Sequence, residues 1–243
     1  MQGKSIAMAA MTAVLLGPAI GAAPVSAQTG AAAPQLAQTG EMPAYKPPMR
    51  GAPGGRIGGA SRGSAGAALP TIEPVSPDAH SGLTTSPSPT LYYYISQPVS
   101  LPVKLTISAP NQARPLVETN LPPVRGAGLQ ALRLSDYRVQ LQPNIPYTWS
   151  VSVVVDPRSP SNDVVASATV TRVALDPAVE NAARAATPLH RAVVYAQAGI
   201  FYDAVAAAAE GAQMDRHAAL DALLDQVGLR EAAAYDRRVG QGG

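Results

Sequence analysis

Histidine, serine and carboxylate side chains are the groups in this chain that could do chemistry. The three histidines are His80, His190 and His217. No two of them stand at the His-x-x-x-His spacing that places two imidazoles on one helical face for zinc. The chain has no cysteine, which excludes disulfides, thiolate metal sites, a cysteine nucleophile and c-type haem attachment. No metal or other cofactor is expected. A hydrolase would need His80 as a base beside a serine and a carboxylate, but no Gly-x-Ser-x-Gly elbow accompanies it. The plainer reading of His80 is a turn histidine bonding the backbone between Gly82 and Thr85. Asp221 and Asp225 lie one helical turn apart, as paired catalytic carboxylates would. Beside the apolar Leu220 and Leu224 they read as the solvated face of a helix. No catalytic residue is assigned, and a non-enzymatic protein is expected.

Binding is the other chemistry on offer. Tyr92 and Tyr94 share one face of an expected strand and would make a flat stacking surface for a glycan or a partner protein. The competing reading is that the C-terminal helices cover them. Arg50, Arg56 and Arg62 punctuate a Gly/Pro-rich stretch that carries no acidic residue between Tyr45 and Gly63. That stretch lacks the Gly-Lys-Ser/Thr ending, the preceding strand and the following helix of a phosphate loop. It reads as a solvated linker able to touch an anionic envelope polymer. With 18 basic and 16 acidic residues the formal net charge is +2, too small for a nucleic-acid-binding domain.

The elements that would position these residues fall into four blocks. Residues 1–27 read as a secretory signal peptide: Lys4, an apolar run over 6–20, then Val25-Ser26-Ala27 before Gln28. The run, about 15 residues broken by Gly17-Pro18, is shorter than the roughly 20 needed to span a bilayer. Cleavage after Ala27 would leave a chain without a transmembrane helix in the periplasm or the medium. Residues 28–79 show no sustained apolar periodicity and are rich in glycine and proline, so a disordered basic arm is expected there. Residues 80–175 change to short β-rich runs at 90–96, 103–108, 116–120, 129–134, 147–155 and 164–173, separated by turn residues, which predicts a β-sandwich. Within them Val103, Leu105 and Ile107, and then Tyr147, Trp149, Val151, Val153 and Val155, alternate onto a core face.

Residues 176–239 turn alanine-rich with helical spacing. Thr187-Pro188 is an N-cap and first-turn pair. The apolar positions from Leu189 to Ala196 and from Ile200 to Ala208 then form a hairpin about Gly199, and a third helix begins near Asp215 and stops at Gly228. Tyr195, Gly199 and Ala204 have the spacing of the tetratricopeptide hairpin, where small residues let two helices approach. Such a hairpin cannot bury its own face, so it should pack on the sandwich or on a partner. Asp203 would then bond a loop donor from the sandwich, as a docking residue. The predicted architecture is mainly β with an α appendage: a fibronectin/immunoglobulin-like sandwich, then a helical hairpin plus a third helix, preceded by the arm.

Two resemblances refine this. Leu141-Gln142-Pro143, with Tyr147 four residues after the proline and Trp149 beyond it, resembles the tyrosine corner of fibronectin type III-like sandwiches. It implies that Pro143, Tyr147 and Trp149 are structural, with Asn144 replacing the usual glycine and tolerating a left-handed backbone. Several ordered blocks together resemble the bacterial family called domain of unknown function 928. They are the stretch from Tyr45 to Gly59, His80-Ser-Gly-Leu-Thr-Thr-Ser, Pro89-Thr-Leu-Tyr-Tyr-Tyr-Ile-Ser, Tyr147-Thr-Trp-Ser-Val, Asp163-Val-Val-Ala and Tyr195-Ala-Gln-Ala-Gly-Ile-Phe-Tyr-Asp-Ala-Val. Tyr93 stands where such proteins often have tryptophan. The resemblance implies an exported bacterial protein with no assigned activity. The resemblance leaves the function open; because the fold suits binding and no catalytic constellation is found, the expected function is a protein-interaction module of the cell envelope, with an envelope protein as partner and glycan binding or a His80 hydrolase as alternatives.

Overall fold

The structure is a computed structural model and describes residues 41–48, 54–59 and 69–242. Period-two alternation produces two sheets. The larger joins β1 (Arg56–Ile57), β9 (Val164–Arg172), β8 (Pro146–Val153), β5 (Val103–Ser108) and β6 (Val117–Asn120) in that spatial order, with β3 (Gly82–Thr84) added parallel to β9. The smaller has the order β2 (Ile72–Pro74), β4 (Thr90–Ile95), β7 (Gly128–Arg133). Apart from β3, every pairing of named strands is antiparallel.

Alternation decides which residues enter the core. On β8, Tyr147, Trp149, Val151 and Val153 are buried while Thr148 is exposed. On β5, Val103, Leu105 and Ile107 are buried. These residues join Leu91, Tyr93, Ile95 and Leu132 of the smaller sheet in one continuous apolar cluster. The turn before β8 is a tyrosine corner in its geometry. The Gln142 amide donates to Tyr147 Oη at 3.1 Å, and Asn144 takes a left-handed backbone at φ 60°.

Five helices follow: α1 (Pro177–Ala185), α2 (Pro188–Gln197), α3 (Phe201–Ala209), α4 (Gln213–Gln226) and α5 (Arg230–Gln241). The expected hairpin is α2 and α3 and the expected third helix is α4, so α1 and α5 are additions. Asp176 caps α1 by accepting the Ala178 amide, with Pro177 at the first position, as Thr187 and Pro188 do for α2. Gly199, at φ 76°, makes the corner between α2 and α3 in a conformation that glycine adopts without cost. Ala192, Ala196, Ala204, Ala207 and Ala208 are all buried, and their small side chains let the helices approach.

The helices pack on the sandwich. Phe201, Tyr202, Val205, Leu223 and Leu224 belong to the same apolar cluster as the strands. Tyr202 reaches in from α3: the Trp149 indole N–H donates to its hydroxyl at 3.0 Å, and that hydroxyl lies 3.1 Å from Ser76 Oγ and 3.2 Å from the Thr169 carbonyl. Gly82 makes room for it, since a methyl there would collide with the Tyr202 ring.

One expectation needs correction. The structureless arm does not run to residue 79. Ile72, fully buried, pairs with Ile95, Val75 is 1% exposed, and Arg56–Ile57 pairs with β9, so the sandwich already includes β1 and β2. Glu41 to Pro48 and Gly54 to Gly59 also have defined seats, described below. The signal peptide expected at 1–27 and the rest of the arm lie outside the described residues. Among the described residues, no helix is long and apolar enough to cross a membrane.

Candidate functional site

The place where arm, sandwich and helices meet is built around Tyr45 and His80. Tyr45 Oη lies 2.7 Å from His80 Nε2, the two rings are stacked within 6° of parallel, and the Phe201 ring meets Tyr45 edge-on at 5.1 Å. Burial pushes the Tyr45 phenol well above its ordinary range and lowers the His80 imidazole. The pair is therefore a neutral phenol against a neutral imidazole. To act as a base for a serine, His80 would need a serine hydroxyl at one of its ring nitrogens. Ser81, the next residue, is fully buried and bonds Thr171 Oγ1 at 2.8 Å instead. Among the described residues no serine hydroxyl bonds His80, and its partner is Tyr45 rather than the Gly82 to Thr85 backbone.

Around this pair the segment 41–48 lies as a strap on the helices. The Lys46 amide donates to the Ala196 carbonyl at 3.0 Å, and the Tyr45 amide to Gln226 Oε1 at 2.8 Å. Gln226 Nε2 donates in turn to the Pro43 carbonyl at 2.9 Å, and Pro43 is buried. A Cβ on Gly199 would stand 3.0 Å from the Lys46 carbonyl oxygen, so the glycine corner also makes room for the strap. Arg56, from β1, continues the fastening: Nη1 donates to the Ser76 carbonyl at 2.8 Å and to the Val227 carbonyl at 2.6 Å. Arg56 thus ties β1 to the end of α4. Arg50 and Arg62 lie outside the described residues.

The two tyrosines proposed as a stacking face are covered. Tyr94 is 2% exposed beneath Tyr235 of α5, with ring centroids 5.9 Å apart, and Tyr92 is half-buried. No flat pair of aromatic rings faces solvent there. The reason is the one weighed from the sequence: the helices need an apolar surface, and this is it. Asp203, in the first turn of α3, accepts the Thr85 amide at 2.8 Å and lies 3.4 Å from the Thr85 hydroxyl. These bonds join α3 to the end of β3, while burial raises the carboxyl pKa.

The reading of Asp221 as solvated is corrected. Its side chain is 15% exposed, 3.5 Å from Arg237 Nε of α5, and its Oδ1 is buried without a hydrogen-bond partner. Burial first, and the neighbouring Asp236 second, push its pKa from 3.8 up to about 6. His217 is buried as well, with Nδ1 2.7 Å from Asp236 Oδ2. The spacing of α4 alone placed Asp221 on an outer face; α5 covers that face with Ala232, Ala233 and Asp236 as its buried positions, none of them a large apolar side chain.

The model of the family described as Domain of Unknown Function (DUF928) matches residues 57–236. The chain belongs to this family. The DUF928 match opens at Ile57 rather than at Tyr45, so it includes both sheets and nearly all the helical region but leaves the strap outside. No curated protein and no solved structure matches this DUF928 member. The likeness to fibronectin type III-like sandwiches therefore rests on the tyrosine corner.

Proposed function

We propose that the protein is an exported, non-enzymatic interaction module of the bacterial envelope, directed outward by residues 1–27 and engaging a protein partner there. Fold class alone selects no function, so the reading has to rest on a site. The observation that carries it is the seat for residues 41–48. Main-chain donors and acceptors of an extended, proline-containing segment are met by Ala196 and Gln226, and one aromatic side chain is anchored between His80 and Phe201. Main-chain bonds for affinity and an aromatic anchor for position are the means by which proteins hold extended peptides. The helical region is thus chemically fitted to peptide, and His80 is engaged in that assembly.

The test is proximity crosslinking with mass spectrometry on the full chain in its native cells, together with N-terminal sequencing of the exported form. The expected results are a new N-terminus at Gln28 and one envelope protein recovered reproducibly through the arm or the helices. An uncleaved chain in the cytoplasm, or recovery of no protein partner, would overturn the proposal.

A further inference from the structure

A second place in the molecule has the make-up of a ligand site. Where β9 ends at Arg172 and the chain turns into α1, a cavity of about 430 Å³ opens between that turn, α1 and α2. This is within the range of small-molecule pockets. Arg172, Arg184 and Arg191 are among the residues that line it, with Thr85, Tyr195 and one acid, Glu180. Helical geometry explains the convergence: Glu180 and Arg184 are four apart on α1, and Arg191 and Tyr195 are four apart on α2, so each pair shares a face.

The charges are not equivalent. Arg184 is paired with Glu180 at 2.6 Å, and Arg191 with the exposed Glu210 at 2.6 Å. Arg172 has no carboxylate partner among the described residues. It is nevertheless held in place, with Nε 3.4 Å from the Thr85 carbonyl and Nη1 3.2 Å from the Leu141 carbonyl. Asp203 is bonded to Thr85. A half-buried guanidinium fixed by backbone carbonyls and lacking an anion is pre-organised for one, because its planar fork matches a carboxylate without further ordering. Thr85 and Tyr195, which line the same cavity, carry hydroxyls and favour a ligand that does too.

We propose that this cavity binds a small hydroxylated carboxylate of the uronic-acid class, its carboxylate on Arg172 and its hydroxyls on Tyr195 and Thr85. The proposal is independent of the protein partner considered above.

Isothermal titration of the full chain with glucuronate, glucose and inorganic phosphate tests it, with an oligogalacturonate to separate a free sugar acid from the end of an acidic polysaccharide. Glucuronate or the oligomer is expected to bind with Kd of about 1 mM or tighter, and glucose not to bind. Tyr195→Phe, which keeps the ring, and Arg184→Gln on the rim should each weaken binding severalfold. Arg172→Gln should weaken it about tenfold or more. If Arg172→Gln does not fold, the other two variants decide. Absence of uronate binding, equal binding of glucose, binding of phosphate alone, or affinity unchanged in the variants that fold would each overturn the proposal.

Discussion

Replacing Asp221 by asparagine should stabilise this protein at neutral and alkaline pH and do nothing for it in acid. Asp221 lies between α4 and α5 near Asp236, Asp225, His217 and Arg237, and its pKa rises from 3.8 to about 6 on folding. A folded pKa above the unfolded value means that the folded state prefers the protonated form. Its contribution is fully favourable below about pH 4 and is lost as pH rises through about 6. The rise from 3.8 to about 6 corresponds to roughly 3 kcal/mol of destabilisation once the group is ionised in both states. This figure already includes the attraction of Arg237, because that attraction is among the causes that set the pKa. Asparagine imitates the protonated carboxyl, so Asp221→Asn should gain up to about 3 kcal/mol at pH 8, with the gain closing to zero near pH 4. Urea unfolding followed by the fluorescence of the single tryptophan, Trp149, measures it at both pH values. Asp225→Asn, at a more exposed ion pair with Arg237, is the control and should change stability by less than about 1 kcal/mol. A gain at pH 8 that persists undiminished at pH 4, or no gain at all, would refute the reasoning.

Three further substitutions probe the joints of the fold. Tyr202→Phe removes the acceptor of the buried Trp149 indole N–H and should cost about 1–3 kcal/mol, read from the urea midpoint, with a shift in Trp149 emission. Gly199→Ala forces a side chain into a backbone at φ 76° and brings a methyl within 3.0 Å of the Lys46 carbonyl. It should cost about 1–3 kcal/mol in thermal unfolding. Tyr147→Phe leaves the ring in the core but takes the acceptor from the Gln142 amide, for a loss of about 1 kcal/mol with the β8 pairing retained, which amide exchange along 146–153 would report.

What could be read in the sequence follows from how local each cause is. The six expected strands coincide with β4 to β9 within a residue or two because each carries its own alternation. β2 and β3 carry too little of it. Ile72-Glu73-Pro74 ends in a proline, which is tolerated because β2 is an edge strand and loses no ladder bond, but which reads locally as a turn. Gly82-Leu83-Thr84 is a strand only because β9 offers it a parallel edge, 88 positions away in register at Gly82↔Val170. α1 does carry a legible start in Asp176-Pro177, the same pair of signals as at Thr187-Pro188. α5 carries none: its buried positions are Ala232, Ala233 and Asp236, and Arg230, Glu231, Arg237 and Arg238 make it strongly charged. The candidate site was least legible. Tyr45 and His80 are 35 residues apart, and no spacing rule connects an arm tyrosine to a turn histidine. Asp203 was different, since its place in the first turn of α3 already aimed it at the sandwich.

The seating of the arm bears on the whole molecule, because the rings that hold it continue into the core. Tyr45 meets Phe201 edge-on, Phe201 meets Tyr202 at 6.0 Å, and Tyr202 bonds Trp149. Tyr45→Ala removes the stack on His80, the phenol–imidazole bond and the cover over Phe201, so the strap should lift while the sandwich stays folded. The Lys46 amide is the reporter, since its bond to Ala196 exists only when the strap is seated. In the wild type it should exchange slowly, in Tyr45→Ala about tenfold or more faster, and in Tyr45→Phe in between, because the ring contacts remain and only the bond to His80, worth about 1 kcal/mol, is lost. A Lys46 amide that exchanges freely in the wild type would show that the strap is not held by these contacts. Equal protection in Tyr45→Ala would assign its hold to Gln226 and Pro43 alone.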